Sequence, residues 1–219
     1  MMDANYLGND VEDLLSEALS DERELVQVVN PSPDTLESTV SALDYLDDPP
    51  GVHILAEERK VKTVMDDFLV ASSTADLVES DVLALRVQSE LPENALLVSA
   101  NDLVTLVFAG EHVAGLVTDD DAIVKATYDH YEREWGDAEA FTLRTPALSR
   151  VRTTLQDDIG PETAADFDAV LESLSTARGD GEGLDEVTIS LLVAAKNGEL
   201  LYDISKWGED IGLASKATF

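Results

Sequence analysis

The chain has no cysteine, which excludes disulfides, thiolate metal sites and a cysteine nucleophile. It has little positive charge. Only 14 Lys plus Arg stand against 46 Asp plus Glu, and just six are lysines: Lys60, Lys62, Lys125, Lys196, Lys206 and Lys216. The basic domain that marks a typical nucleic-acid binder is therefore missing. Long apolar runs are missing too, since a stretch such as residues 103–109 is far too short to span a bilayer. Residues 1–10 lack the basic and apolar regions of a secretory signal. These absences predict a soluble, cytoplasmic protein with no membrane partner.

What is abundant is acid. The formal net charge is −32 on 219 residues, enough to suggest disorder on charge alone. The 44% hydrophobic content argues for a folded core instead, and the acids are spread along the whole length rather than gathered in a tail. An evenly acidic surface repels itself in dilute buffer and suits a solvent that screens charge. At about 1 M salt the screening length is only ~3 Å. We expect the protein of an extreme halophile that accumulates salt. In such a host the counterion-release contribution to DNA binding is weak, so an acidic total does not exclude DNA as a partner.

Periodicity predicts the elements. Residues 9–20 read as a helix capped by Asn9 or Asp10, with Val11, Leu14, Leu15, Ala18 and Leu19 on one stripe. Residues 25–30 form a strand ending at Pro31 and Pro33. Residues 35–46 form a helix, and residues 52–56 a second strand. Residues 57–78 read as one long helix burying Val61, Val64, Met65, Phe68 and Leu69, followed by a strand over 82–87. Strands over 95–100, 103–108 and 111–118 follow, the last two joined by a hairpin at Ala109-Gly110. Residues 119–135 form a helix whose opening Asp119-Asp120-Asp121 suits the helix dipole. An edge strand is expected over 141–143. The order is βαβαβ, then a meander and a packing helix: an α/β domain with a mixed sheet.

Residues 142–156 contain no carboxylate and carry Arg144, Arg150 and Arg152. Residues 149–158 read as a linker helix, and Gly160-Pro161 opens another, striped by Phe167, Val170, Leu171 and Leu174. The three arginines suit either an interface with a partner subunit, DNA phosphates, or pairing with Asp157 and Asp158. Residues 178–183 (RGDGEG) read as a loop. The domain boundary is expected near 145–160, giving domains 1–150 and 151–219.

The last segment carries the sharpest motif. A helix over 185–196 buries Val187, Leu191, Leu192 and Ala195. Asn197-Gly198 turns the chain into a second helix over 201–209 that buries Ile204 and Trp207. Gly212 then permits a tight turn, Ser215 can cap a recognition helix, and Lys216 and Thr218 fall in its first turn. Residues 211–219 are free of acid, as a surface approaching phosphate must be. Expected DNA contacts are Lys206, Ser215, Lys216, Ala217 and Thr218, with Leu213 and Phe219 buried behind them.

The stretches GPETAADFDAVLESL (160–174) and LLVAAKNGELLYDISKWGEDIGLASKATF (191–219) resemble the C-terminal winged-helix region of haloarchaeal transcriptional regulators of the TbsP type. VHILAEERKVKTVMDDFLVASSTADLV (52–78) and LLVSANDLVTLVFAGEHVAGLVTDDDAIVKATYDHYEREW (96–135) resemble that family's sensor-like domain. The latter stretch is also similar to the closing hairpin and helix of TrmB-like sugar-responsive regulators, degenerate relatives of the phospholipase D fold. The resemblance implies an α/β sensor domain followed by an all-α helix-turn-helix domain that stops before its wing. It also implies a small-metabolite effector of unspecified identity and a homodimer.

Catalysis is not expected. Phospholipase D chemistry needs a histidine with a lysine two residues later. The residues two past His53, His112 and His130 are Leu55, Ala114 and Glu132. The histidines are isolated from one another, no glycine-rich phosphate loop follows a strand, and no nucleophile elbow is present. No cofactor or metal is implied, although Asp119-Asp120-Asp121 has the chemistry to hold a hard cation. The expected function is a DNA-binding transcription regulator. The alternative is an interaction protein that acts on another regulator and uses its C-terminal helices only for packing.

Overall fold

A computed structural model of the chain describes residues 5–8, 10–20, 24–110, 112–176 and 186–219, with the backbone alone for 174–176 and 186. Asn9 as a cap, Leu174 in its stripe and the loop at 178–183 therefore lie outside what is described. The chain divides into two compact units. The first comprises Met1–Asp66 and Leu77–Thr142, the second Asp67–Asp76 and Leu143–Phe219.

The first unit is built on an eight-stranded sheet. Its strands are β1 (Tyr6–Gly8), β2 (Val26–Val29), β3 (Val52–Ala56), β4 (Leu83–Val87), β5 (Leu96–Val98), β6 (Leu103–Ala109), β7 (His112–Thr118) and β8 (Glu139–Ala140). Their spatial order is β1-β7-β6-β5-β2-β3-β4-β8. β2, β3 and β4 run parallel and every other pairing is antiparallel. The mixed sheet follows from the connections, since helical crossovers return strands in parallel and short turns return them antiparallel.

The helices read from periodicity are present as α1 (Val11–Ser20), α2 (Pro33–Tyr45) and α5 (Asp121–Asp137). Asp10 accepts the Glu12 amide at 2.9 Å to open α1. Ser32 caps α2, accepting from Thr35 N at 3.1 Å, with Pro33 at the first helical position. Asp120 caps α5 through the amides of Ala122 and Ile123. The middle member of the acidic triple thus serves as a helix cap.

Three expectations need correction. The single helix over 57–78 is two helices, α3 (Glu58–Met65) and α4 (Phe68–Glu79). Asp67 Oδ1 accepts from the amides of Leu69 and Val70, so it starts a new helix where the apolar period runs on unbroken. The edge strand lies at Glu139–Ala140, two residues before the expected 141–143, paired with Val87 and Arg86. β1 was not anticipated. Its strand pairing is an antiparallel ladder to β7, and with Leu7 80% exposed it shows no buried alternation to read.

α5 lies on the sheet face that carries Gln27 and His53, neighbours in the β2–β3 register. The His53 imidazole stacks on Trp135 of α5 with centroids 4.0 Å apart. Arg86 donates to the carbonyls of Trp135, Gly136 and Ala138 and lies over the Trp135 ring. Burial, then the Arg86 charge, holds the His53 pKa below its ordinary value. Gln27 is 3% exposed and neither amide atom has a hydrogen-bond partner among the described residues. A buried unpaired amide costs stability. Gln27→Met keeps the length and removes the amide, and is expected to raise the stability of the chain by about 1–3 kcal/mol. Denaturant midpoints in high salt measure it, and a lowered midpoint would show that the amide is paired after all.

The second unit is helical. It contains α6 (Leu148–Thr154), a π-helical turn over Leu155–Ile159, α7 (Pro161–Thr176), α8 (Glu186–Asn197) and α9 (Leu201–Asp210). Phe68 at the start of α4 joins its core, beside Leu148, Val151, Leu155, Phe167, Ile189, Ile204 and Trp207. Asp76 of α4 accepts from the Ser149 amide and hydroxyl and so caps α6, whose own cap position is Ala147. Trp207 Nε1 donates to Thr154 Oγ1 at 3.1 Å, which satisfies the one polar atom of a nearly buried indole.

Candidate nucleic-acid interface

The two final helices end in the same way. At the end of α8, Gly198 adopts φ +74, its amide bonds to Ala195 O, and the Glu199 amide reaches back to Ala194 O. At the end of α9, Gly212 adopts φ +80, its amide bonds to Glu209 O, and the Leu213 amide reaches back to Gly208 O at 2.8 Å. Both are glycine-terminated caps in which two orphan carbonyls are satisfied and the chain is turned sharply. A side chain at Gly212 would be strained by that φ. Leu213 is 9% exposed and packs into the helical core with Ile211, which fixes the exit direction of the chain.

Beyond this cap the chain folds into one turn over residues 215–218. The Thr218 amide bonds to Ser215 O at 2.8 Å, and the two hydroxyls bond to each other at 2.8 Å. Ser215, Lys216, Ala217 and Thr218 are all exposed, as is Lys206 on α9. The Lys216 ammonium lies 4.5 Å from the centroid of the Tyr202 ring, itself 62% exposed on α9. Phe219 is partly buried and its ring occupies the space a side chain at Gly208 would need.

The α8 face differs from expectation. Val187, Ile189, Ser190, Val193 and Ala194 are buried, whereas Leu192 is 54% exposed and Ala195 is exposed. Apart from Thr188 and Ser190 the run VTISLLVAA is apolar, so periodicity alone does not fix its phase. Leu192 joins Leu200, Leu201 and Tyr202 among the exposed large apolar side chains of this unit.

Charge is unevenly divided. Residues 143–219 hold 7 of the 14 basic residues but only 14 of the 46 acids, and both 143–156 and 211–219 are acid-free. Arg152 is bound to Asp168 of α7 at 2.6 Å rather than to Asp157 or Asp158. Lys196 is bound to Asp166 at 2.6 Å, and this bond with a second from Asn197 lowers the Asp166 pKa. Arg144 and Arg150 are exposed with no ion pair among the described residues. Among those residues no group of three His, Asp or Glu side chains is placed to hold a metal. No helix among them is long and apolar enough to cross a membrane.

An α/β unit followed by a helical unit whose last full helix turns through a glycine into a short, acid-free, lysine-bearing turn has the layout of a transcriptional regulator with a C-terminal helix-turn-helix domain. The chain belongs to the TbsP-like family of such regulators. The family's N-terminal domain (transcriptional regulator TbsP-like, N-terminal) matches residues 3–146, and its C-terminal helix-turn-helix domain matches residues 147–219. Among solved structures, the chain is similar to TrmBL2, an archaeal chromatin protein with a novel mode of DNA binding. The identity is 10% and the TM-score 0.44, covering 64% of this chain and 55% of that one, so the chain spans about half of that neighbour's length. It is also similar to NucT from Helicobacter pylori at 14% identity and a TM-score of 0.41, covering 63% of this chain and 98% of that one. No curated protein sequence matches it.

Proposed function

We propose that the protein is a dimeric, sequence-specific DNA-binding regulator of metabolic genes in a salt-accumulating archaeal cytoplasm. Its helical unit contacts DNA, and its α/β unit, a non-catalytic relative of the phospholipase D fold, senses a small metabolite. The observation that carries this reading is the acid-free end of the chain, residues 211–219, set by the Gly212 cap at the end of α9. On a molecule of charge −32, that end keeps Lys216 and Thr218 exposed with no carboxylate in the same segment. In this reading Lys206 and Lys216 contact phosphates, Ser215 orients the turn, and Ala217 and Thr218 approach sugar or base edges.

The test is genome-wide DNA occupancy of the tagged full-length protein in its high-salt host, with and without glucose. Discrete occupied sites whose strength changes with carbon source are expected. Uniform or absent occupancy would favour the second reading, an interaction protein that regulates another factor. That reading draws its support from the apolar side chains Leu192, Leu200, Leu201 and Tyr202, all more than half exposed on the helical unit.

A further inference from the structure

The α/β unit has one sheet face that is apolar, acid-poor and, among the described residues, left exposed over β1, β6 and β7. In register, Leu7 of β1 lies opposite Ala114 of β7, and Ala114 opposite Val107 of β6; Thr105 lies opposite Leu116. Directly paired residues point to the same side of a sheet, so Leu7, Ala114, Val107 and Leu116 share one face. The opposite face is buried over its middle, although Phe108 at its end is 50% exposed. Val104, Leu106 and Val113 are at most 4% exposed there, and Gly115 meets Leu14 of α1. On the uncovered face Leu7 is 80% exposed, Leu116 48% and Val107 38%. α5 packs over β2 and β5, short of this half of the sheet. Leu7, Val107, Ala109, His112 and Ala114 line a shallow hollow of about 390 Å³ there.

The sequence of these strands is that of strands covered on both sides. An antiparallel pair with one wet face alternates apolar with polar, but LVTLVFA and HVAGLVT do not. Residues 103–118 contain one carboxylate, where the whole chain averages more than one in five. A strongly acidic protein has left one face without charge.

We propose that this face, Leu7, Val107, Ala114 and Leu116 with their neighbours on β1, β6 and β7, is the surface through which two copies of the chain pair. Charge selects the occupant. A basic partner would leave its cations unmatched on a neutral face, while most of the chain's 46 carboxylates lie elsewhere and compete for them. Nucleic acid meets no positive charge here. A second copy brings a face of the same neutral, apolar composition. Apposing the two through a two-fold axis lets two molecules of −32 meet without bringing carboxylates of this face together. The pairing stands on the face itself; its use in presenting two helix-turn-helix units to two half-sites rests on the proposed function.

The test is sedimentation of the full-length chain in high salt. The wild type is expected at twice its 23.6 kDa mass. Leu116→Glu and Val107→Glu are each expected to weaken self-association at least about a hundredfold, because both copies then bury like charges. Leu116→Thr, which a strand tolerates, is expected to weaken it less while leaving circular dichroism and the melting midpoint unchanged. Leu201→Glu on the helical unit serves as the control and is expected to leave the mass doubled. A monomeric wild type, a dimer indifferent to all three sheet substitutions, or a dimer broken by Leu201→Glu overturns the proposal. DNA retention is measured on the same samples. Loss of DNA binding with an intact dimer would count against the regulator reading, and a monomer that still binds DNA counts against this face alone.

Discussion

The melting midpoint of the full-length chain is expected to rise steeply between about 0.1 M and about 1 M KCl, where the screening length falls from ~10 Å to ~3 Å. The charge arithmetic is one-sided. With 46 carboxylates and 14 Lys plus Arg, at least 32 acids have no cation of the chain's own to meet. Several available cations are already committed on the surface: Lys62 to Glu58, Lys125 to Asp129, Arg152 to Asp168 and Lys196 to Asp166. Exposed pairs of this kind each contribute at most about 1 kcal/mol. They do not offset the mutual repulsion of the remainder, and mobile counterions must. The apolar core is ordinary in composition, so the salt dependence should appear as a displaced but still cooperative transition. A midpoint that stays level across that range would show that the acids are not a folding liability, and the salt-loving reading would fall with it.

Much of the α/β unit was legible because its signals are local. Asp10 and Asp120 are helix-capping residues at the starts of α1 and α5, and of the apolar stripe read for α1 Leu14, Leu15 and Leu19 are buried while Val11 and Ala18 are partly so. Runs such as VQVV and VHILA, buried throughout or nearly so, declare parallel strands by composition alone. What was not legible depends on partners distant in sequence. The break at Asp67 competes with an apolar period that continues straight through it. The reason for that period emerges only in three dimensions, since Val61 and Val64 belong to the α/β unit and Phe68 to the helical core. A reading along the chain seeks one boundary, whereas the second unit takes in residues 67–76 as well as everything after 142. β1 and β8 are three and two residues long, and each is recruited by an existing edge rather than by its own pattern. The phase of α8 was misread because nearly every side chain of its middle turns is apolar.

The turn at residues 215–218, where a capped recognition helix was expected, was marked out for a different reason. Gly212, Ser215 and Lys216 are read from chemistry rather than periodicity, and absence of acid is visible only against an acidic background. The structure adds what the turn is tied to. Gly212 closes a two-bond cap on α9, and Tyr202 lies beneath Lys216. These ties are short-range and lie within one helix and its exit, so residues near one another in sequence sufficed to find them.

If the proposed DNA contact is right, reversing Lys206 and Lys216 is expected to remove DNA binding without unfolding the protein. Lys206 is exposed on α9, and Lys216 is exposed with its ammonium over the Tyr202 ring. An exposed cation–π contact contributes about 0.5–1 kcal/mol, so Lys216→Glu should barely move the melting midpoint. Its effect on DNA is larger, because a favourable phosphate contact becomes a repulsive one. Each of Lys206→Glu and Lys216→Glu should weaken binding by about tenfold or more on every sequence alike, and reduce the salt dependence of affinity by roughly one counterion. Conservative Lys216→Arg should retain affinity. Measurements belong at the lowest salt in which the fold persists, since screening hides the difference at higher concentrations. Trp207 reports the integrity of the same unit, because its indole bonds to Thr154 inside the helical core, and its emission should be unchanged in both variants. If the double variant occupies the same genomic sites as the wild type, the turn at residues 215–218 is not a DNA contact. The exposed Leu192, Leu200 and Leu201 would then be the surface to follow, as the docking site of another regulator.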